Sequence, residues 1–125
     1  MDSTSPADIA THWISKWAAE GGPSGESDGN DLDWDLPRKD PRLCLDSILQ
    51  VLGRIPTNPE NKHFQVLAAG PLEDLLVHHG ITFVDEIEIL ARRSPAFRAL
   101  LNGIWTSRVN PQVVTQLSKY RSTQW

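Results

Sequence analysis

The sequence predicts an all-α protein, a compact single domain of about six or seven short antiparallel helices. Three observations predict it. Proline follows a capping residue at Ser5-Pro6, Asp40-Pro41, Asn58-Pro59, Ser94-Pro95 and Asn110-Pro111. That is the pattern of a helix start, because a first-turn N–H has no partner to lose and the preceding side chain accepts from the next free amides. Gly53, Gly70, Gly80 and Gly103 stand where helices should stop, since glycine enters the left-handed C′ conformation without a Cβ clash. Apolar residues recur at i, i+3, i+4 and i+7, and no segment alternates with period two between hairpin turns.

Each element then follows in order. Ile9, Ala10, Trp13, Ile14 and Trp17 form one apolar arc of a first helix. Cys44, Leu45, Ile48, Leu49, Val51 and Leu52 cover a broader arc, which makes the second helix central. Phe64, Leu67 and Ala68 stripe a third, and Leu72, Leu75 and Leu76 line a short fourth helix from Pro71 to His79. Phe83, Val84, Ile87, Leu90 and Ala91 line the fifth, and Phe97, Leu100, Leu101 and Ile104 the sixth. Val113, Leu117 and Tyr120 give a last, weaker stripe.

Between the first two helices, EGGPSGESDGNDLDWDLPRKD has the Gly, Ser and Asp content of a surface loop. The organisation expected is a loosely attached N-terminal helix over 1–20, a flexible acidic loop or linker over 21–39, and a helical core over 40–125. Short connections after Gly53 favour antiparallel neighbours, as in bundles or HEAT-like helical hairpins. The intervals between the X-Pro starts are 35, 18, 36 and 16 residues, too unequal for a repeat.

At 125 residues the chain can bury an ordinary core without disulfides or a structural metal. Its single cysteine, Cys44, cannot form an internal disulfide, which fits a reducing compartment. The N-terminus MDSTSPADIATHW lacks the basic and apolar regions of a signal peptide, and no apolar run approaches the ~20 residues of a membrane span. A cytoplasmic protein is expected. The net charge of −4 is uneven: residues 1–80 hold six basic and thirteen acidic residues, residues 81–125 six and three. The acidic part argues against nucleic acid as a partner and suits docking to a basic protein, or simple solubility.

The candidate chemistry is sparse. Asp31-x-Asp33-x-Asp35 resembles the start of a calcium loop, but Leu36 and Arg42 occupy the places of the required Gly and Glu. On the short fourth helix, Leu72, Leu75, Leu76 and His79 share the apolar arc, while Glu73, Asp74, Val77 and His78 face away. Asp74 and His78 are neighbours at i, i+4, able to supply two metal ligands or an oriented base, or to form a surface pair. Glu73 is favoured near the positive end of that helix. His79, on the core side, reads as a histidine satisfied by a nearby carbonyl, or as a switch or catalytic group. Arg92, Arg93, Arg98 and Arg108 make either a solvated face, with Glu88–Arg92 paired at i, i+4, or an anion-binding patch.

Cys44 reads as a buried, inert thiol. No phosphate loop, Gly-x-Ser-x-Gly elbow or CxxC is present, and no cofactor or metal is expected. Five tryptophans are many for this length. Trp105 is a core anchor by default. Trp13 and Trp17, one turn apart on a tethered helix, are candidates for partner binding, as is Trp34, which could instead pin the loop to the body.

The segment AAGPLEDLLVHHG, followed by ITFVDEIEILARRSPAFRALLNGIW, resembles an uncharacterised bacterial domain-of-unknown-function family. The similarity lies in Gly70 to Leu76, His79-Gly80, Arg92 to Arg98 and Gly103 to Trp105, with DWDLPRKDPRLCLDSIL upstream. It covers roughly residues 31–125 and implies bacterial origin, with no catalytic residues to carry over. The function expected is a small protein-binding module of immunity or antitoxin type, acting stoichiometrically on another, basic protein. The alternative is a metal-assisted hydrolase using Glu73, Asp74, His78 and His79.

Overall fold

The capping residues read from the sequence set most of the helix starts. A computed structural model describes residues 5–18, 32–33 and 35–121. Helix α1 (Pro6–Ala18) begins where the Asp8 amide donates to Ser5 Oγ at 3.1 Å. Helix α2 is Leu36–Lys39, and α3 (Pro41–Leu52) is capped by Asp40, which accepts from the Leu43 amide at 3.1 Å. Asn58-Pro59 makes only a turn. Asn61 is the residue that caps α4 (Lys62–Leu67), accepting from the Phe64 amide at 3.2 Å. Ser94 caps α6 (Pro95–Leu101) and Asn110 caps α7 (Pro111–Leu117), which ends in a 3-10 turn, Ser118–Tyr120. The described residues contain no strand, and the all-α fold is the one observed.

Two of the expected helix stops are not stops. At Gly70 the chain runs from α4 through a π-turn (Ala68–Leu72) directly into α5 (Glu73–Arg93). Pro71 has no N–H to give to an α-helical carbonyl, and the widened turn absorbs that loss. The Glu73 amide instead reaches the Ala68 carbonyl five residues back. At Gly80 the helix only kinks: His79 leaves helical backbone at φ −136°, ψ 21°, and α5 continues to Arg93. The predicted fourth and fifth helices are therefore one bent element.

The reason for Gly80 is contact with α7. A Cβ there would lie 3.2 Å from Cγ2 of Val113, which is buried. Gly80→Val is expected to destabilise the protein by about 2 kcal/mol through overpacking. Adding Val113→Ala should restore about 1 kcal/mol relative to additivity in urea denaturation. Strict additivity would show that Gly80 is not holding a packing distance.

The core runs through every long helix. Leu45, Ile48 and Val51 of α3, Phe64 and Leu67 of α4, Leu72, Leu75 and Ile87 along the bent helix, and Phe97 and Leu100 of α6 are all inaccessible to solvent. The end of the expected linker belongs to this core. Leu32 and Leu36, four apart, are buried, and α2 packs on α3 and α5. Ile9, Ala10 and Trp13 of the first helix are buried, and its main packing partner is α3. On the opposite side, Arg42 of α3 pairs with Glu86 of α5 and lies 5.0 Å from the Phe83 ring centre, tying the two helices together.

Candidate functional site

Two constellations of polar side chains stand out, and each is built on a carboxylate. The first lies where α5 begins. The π-turn delivers Glu73 into the body of the protein, where it is 8% exposed, contrary to the outward position expected from an ideal helix wheel. The chain returning after α6 covers it. The Trp105 amide donates to Glu73 Oε1 at 2.8 Å, and Arg108 Nη2 approaches Glu73 Oε2 at 3.5 Å and Asp74 Oδ1 at 3.6 Å. A carboxylate taken out of water needs such donors. The helix-end dipole invoked for Glu73 is not what holds it, because α4 runs on into α5 and leaves no free N-terminus there.

Asp74 is half-buried, and burial raises its carboxyl pKa, with Arg108 and then His78 acting in the opposite sense. His78 is exposed and influences Asp74 only through charge. His79 belongs to a different contact. Its Nε2 donates to the Arg38 carbonyl at 2.9 Å, joining the kink of α5 to the end of α2. Glu73, Asp74 and Arg108 are thus brought together, and His79 is spent elsewhere. No group of three His, Cys, Asp or Glu side chains able to hold a metal ion occurs among the described residues.

Trp105 corrects the expectation of a core anchor. Its amide is fixed by Glu73, yet its side chain is 66% exposed, the most exposed of the large hydrophobics among the described residues. Arg108 beside it is also largely exposed. The ring is displayed on a backbone that the buried carboxylate holds in place.

The second constellation is centred on Asp33. Trp13 Nε1 donates to Asp33 Oδ1 at 2.9 Å, and Trp17 Nε1 donates to Oδ2 at 3.0 Å. Lys16 Nζ lies 3.7 Å from the same Oδ2. The two indoles also pack on each other with centres 6.2 Å apart, and Lys62 sits 5.7 Å from the Trp17 ring centre. Trp13 and Trp17 are therefore occupied within the chain.

Residues 24–125 match the Family of unknown function (DUF6869). The chain belongs to this family. No curated protein and no solved structure matches it.

The DUF6869 match takes in Asp33, the π-turn, the Glu73 corner and Trp105, whereas α1 with Trp13 and Trp17 lies outside it. Trp34 falls outside the described residues. The four arginines do not make one patch. Arg108 sits at the start of α5 beside Glu73 and Asp74, while Arg92 pairs with Glu88 near its end, roughly 27 Å along the axis. Arg98 donates to the Ala91 carbonyl, and Arg93 is exposed. Cys44 is buried, which pushes its thiol pKa up and leaves it unreactive.

Sequence reasoning missed Asp33. The signal was present in Asp31-x-Asp33-x-Asp35, but only as a calcium pattern that failed. It also missed the Glu73–Trp105 link, which joins residues 32 positions apart and has no local signature.

Proposed function

We propose that the chain is a small protein-binding module of immunity or antitoxin type, acting by stoichiometric binding in the bacterial cytoplasm, with Trp105 anchoring its contact surface. The observation that carries this is the two-thirds-exposed indole on a backbone pinned by a buried carboxylate. Tryptophan and arginine dominate binding hot spots, and a side chain whose backbone is already ordered loses less entropy on binding. Arg108, largely exposed, lies in the same corner. The acidic excess of residues 1–80 supports a basic partner surface, through steering and charge complementarity. Trp13 and Trp17 are engaged with Asp33, so the contact role passes to Trp105. The hydrolase reading retains Asp74, whose carboxyl holds its proton to higher pH than usual, but Glu73 and His79 are engaged in structural hydrogen bonds.

The test is co-purification of the tagged chain with the products of its neighbouring genes in the native host. A partner at 1:1 stoichiometry is expected. Trp105→Ala should weaken it by about 30-fold or more while leaving the Tm unchanged, because the ring is exposed. Undiminished binding by this variant would remove Trp105 from the interface. Absence of any stoichiometric partner would remove the module reading itself.

A further inference from the structure

Glu73 and Asp74 are consecutive carboxylates that face a single guanidinium nitrogen. Arg108 Nη2 stands 3.5 Å from Glu73 Oε2 and 3.6 Å from Asp74 Oδ1, so it is shared between them. The two acceptors are unequal. Glu73 is buried and also takes the Trp105 amide at 2.8 Å, whereas Asp74 is half-buried and meets Arg108 beyond hydrogen-bond length. One positive charge at contact distance serves two negative ones, and a proton relieves that imbalance at Asp74, where the hold is weaker.

We propose that Asp74 is a proton-operated catch on Arg108. As a carboxylate it holds the guanidinium at the corner together with Glu73. On taking a proton it lets go, and Arg108 is left tied to Glu73 alone. The direction follows from reciprocity: Arg108 favours the charged form of Asp74, so it is itself held by that charge and loosened when the charge is lost. Burial, the largest influence on Asp74, raises its pKa and moves the release above the ordinary carboxylate range. Arg108 is largely exposed, which leaves the released side chain free to turn into solvent.

The charged groups around Asp74 are few. Glu73 and His78 come from α5 itself, Arg38 from α2 and Arg108 from the loop after α6, while Cys44 of α3 feels the charges of Asp74 and Asp40. Glu73 opposes the charge on Asp74, and Arg108, His78 and Arg38 favour it. The π-turn and α7 carry no charged side chain. Arg98 of α6 and Lys119 are engaged toward the other end of α5, on the Ala91 carbonyl and Glu88. Arg42 of α3 pairs with Glu86 and Asp46.

The fold as a whole responds to Asp74 with the opposite sign. A carboxyl whose pKa is raised on folding adds stability as pH falls through that value toward its ordinary 3.8. Through Asp74, acid in this window strengthens the fold while it loosens Arg108. The catch does not depend on the protein-binding reading, and its test uses no partner.

The experiment follows hydrogen exchange of the Trp105 amide in the full chain from about pH 7 to about pH 4.5, just above the ordinary carboxylate range. Its protection factor is taken relative to that of Ile87, in the buried face of α5. The Trp105 amide and Arg108 are ties of one loop to Glu73, so losing the Asp74 contact should lower this relative protection about two- to fivefold, the effect of one exposed ion pair. Asp74→Asn should show the lowered value already at about pH 7 and no further change with acid. Carboxyl NMR should find Asp74 titrating at higher pH in Arg108→Gln than in the unaltered chain, and His78→Gln should keep the exchange response. A response that persists in Asp74→Asn or vanishes in His78→Gln would assign it to another group and overturn the inference. So would a relative protection that does not change with pH, or an Asp74 titration that Arg108→Gln leaves in place.

Discussion

Replacing Asp33 by Ala is expected to lower the stability of the chain by about 3 kcal/mol or more, measured by urea denaturation. Two charge-assisted hydrogen bonds are removed, each worth about 1.5–3 kcal/mol, and the Trp13 indole is left with a donor in a site from which water is largely excluded. Asp33→Asn keeps one acceptor oxygen and loses the charge, so about half the loss should return. The effect should also be local in its spread. Amide protection in α1, which holds both indoles bonded to Asp33, should fall well before that of α5. A change below about 0.5 kcal/mol for Asp33→Ala would mean that water replaces the carboxylate, and that α1 is held by its apolar face alone.

The parts of this fold that were legible in the sequence are those decided within one helical turn. Ser5, Asp40, Ser94 and Asn110 each cap the helix they precede, because a short polar side chain and the following proline act on amides only two or three residues away. The apolar arcs translate directly into burial for the same reason of local geometry. Asn58-Pro59 shows the limit, since the turn it starts passes the helix start to Asn61 three residues later.

What was not legible depends on residues far apart. Gly70 and Gly80 look alike as helix stops, yet one precedes a proline absorbed by a π-turn and the other admits the side chain of Val113. Both are governed by contacts across the fold, and the helix-stop rule does not contain them. The same holds for the carboxylates. Nothing near Asp33 in the sequence announces two indoles, and nothing near Glu73 announces an amide 32 residues on. Trp105 was misplaced for a related reason: a large apolar side chain is buried by default, and only the tertiary path of the loop after α6 leaves it outside.

Removing the Glu73 carboxylate should be the second large effect, and it links the fold to the proposed contact surface. Glu73→Ala is expected to cost about 2–3 kcal/mol, because the Trp105 amide loses its acceptor and Arg108 loses one of its two carboxylates. Glu73→Gln preserves an acceptor oxygen of similar reach, so its cost should be about 1 kcal/mol. Hydrogen exchange separates the two roles of the side chain. The Trp105 amide should remain protected in Glu73→Gln and exchange freely in Glu73→Ala. If Trp105 acts as a pre-ordered anchor, partner affinity should follow that protection, falling in the Ala variant and largely surviving in the Gln variant. Loss of protection in both variants would assign the ordering of the loop to the charge of Glu73. Protection in both would place it in the packing of Ile104 and Val109, the buried residues on either side of Trp105.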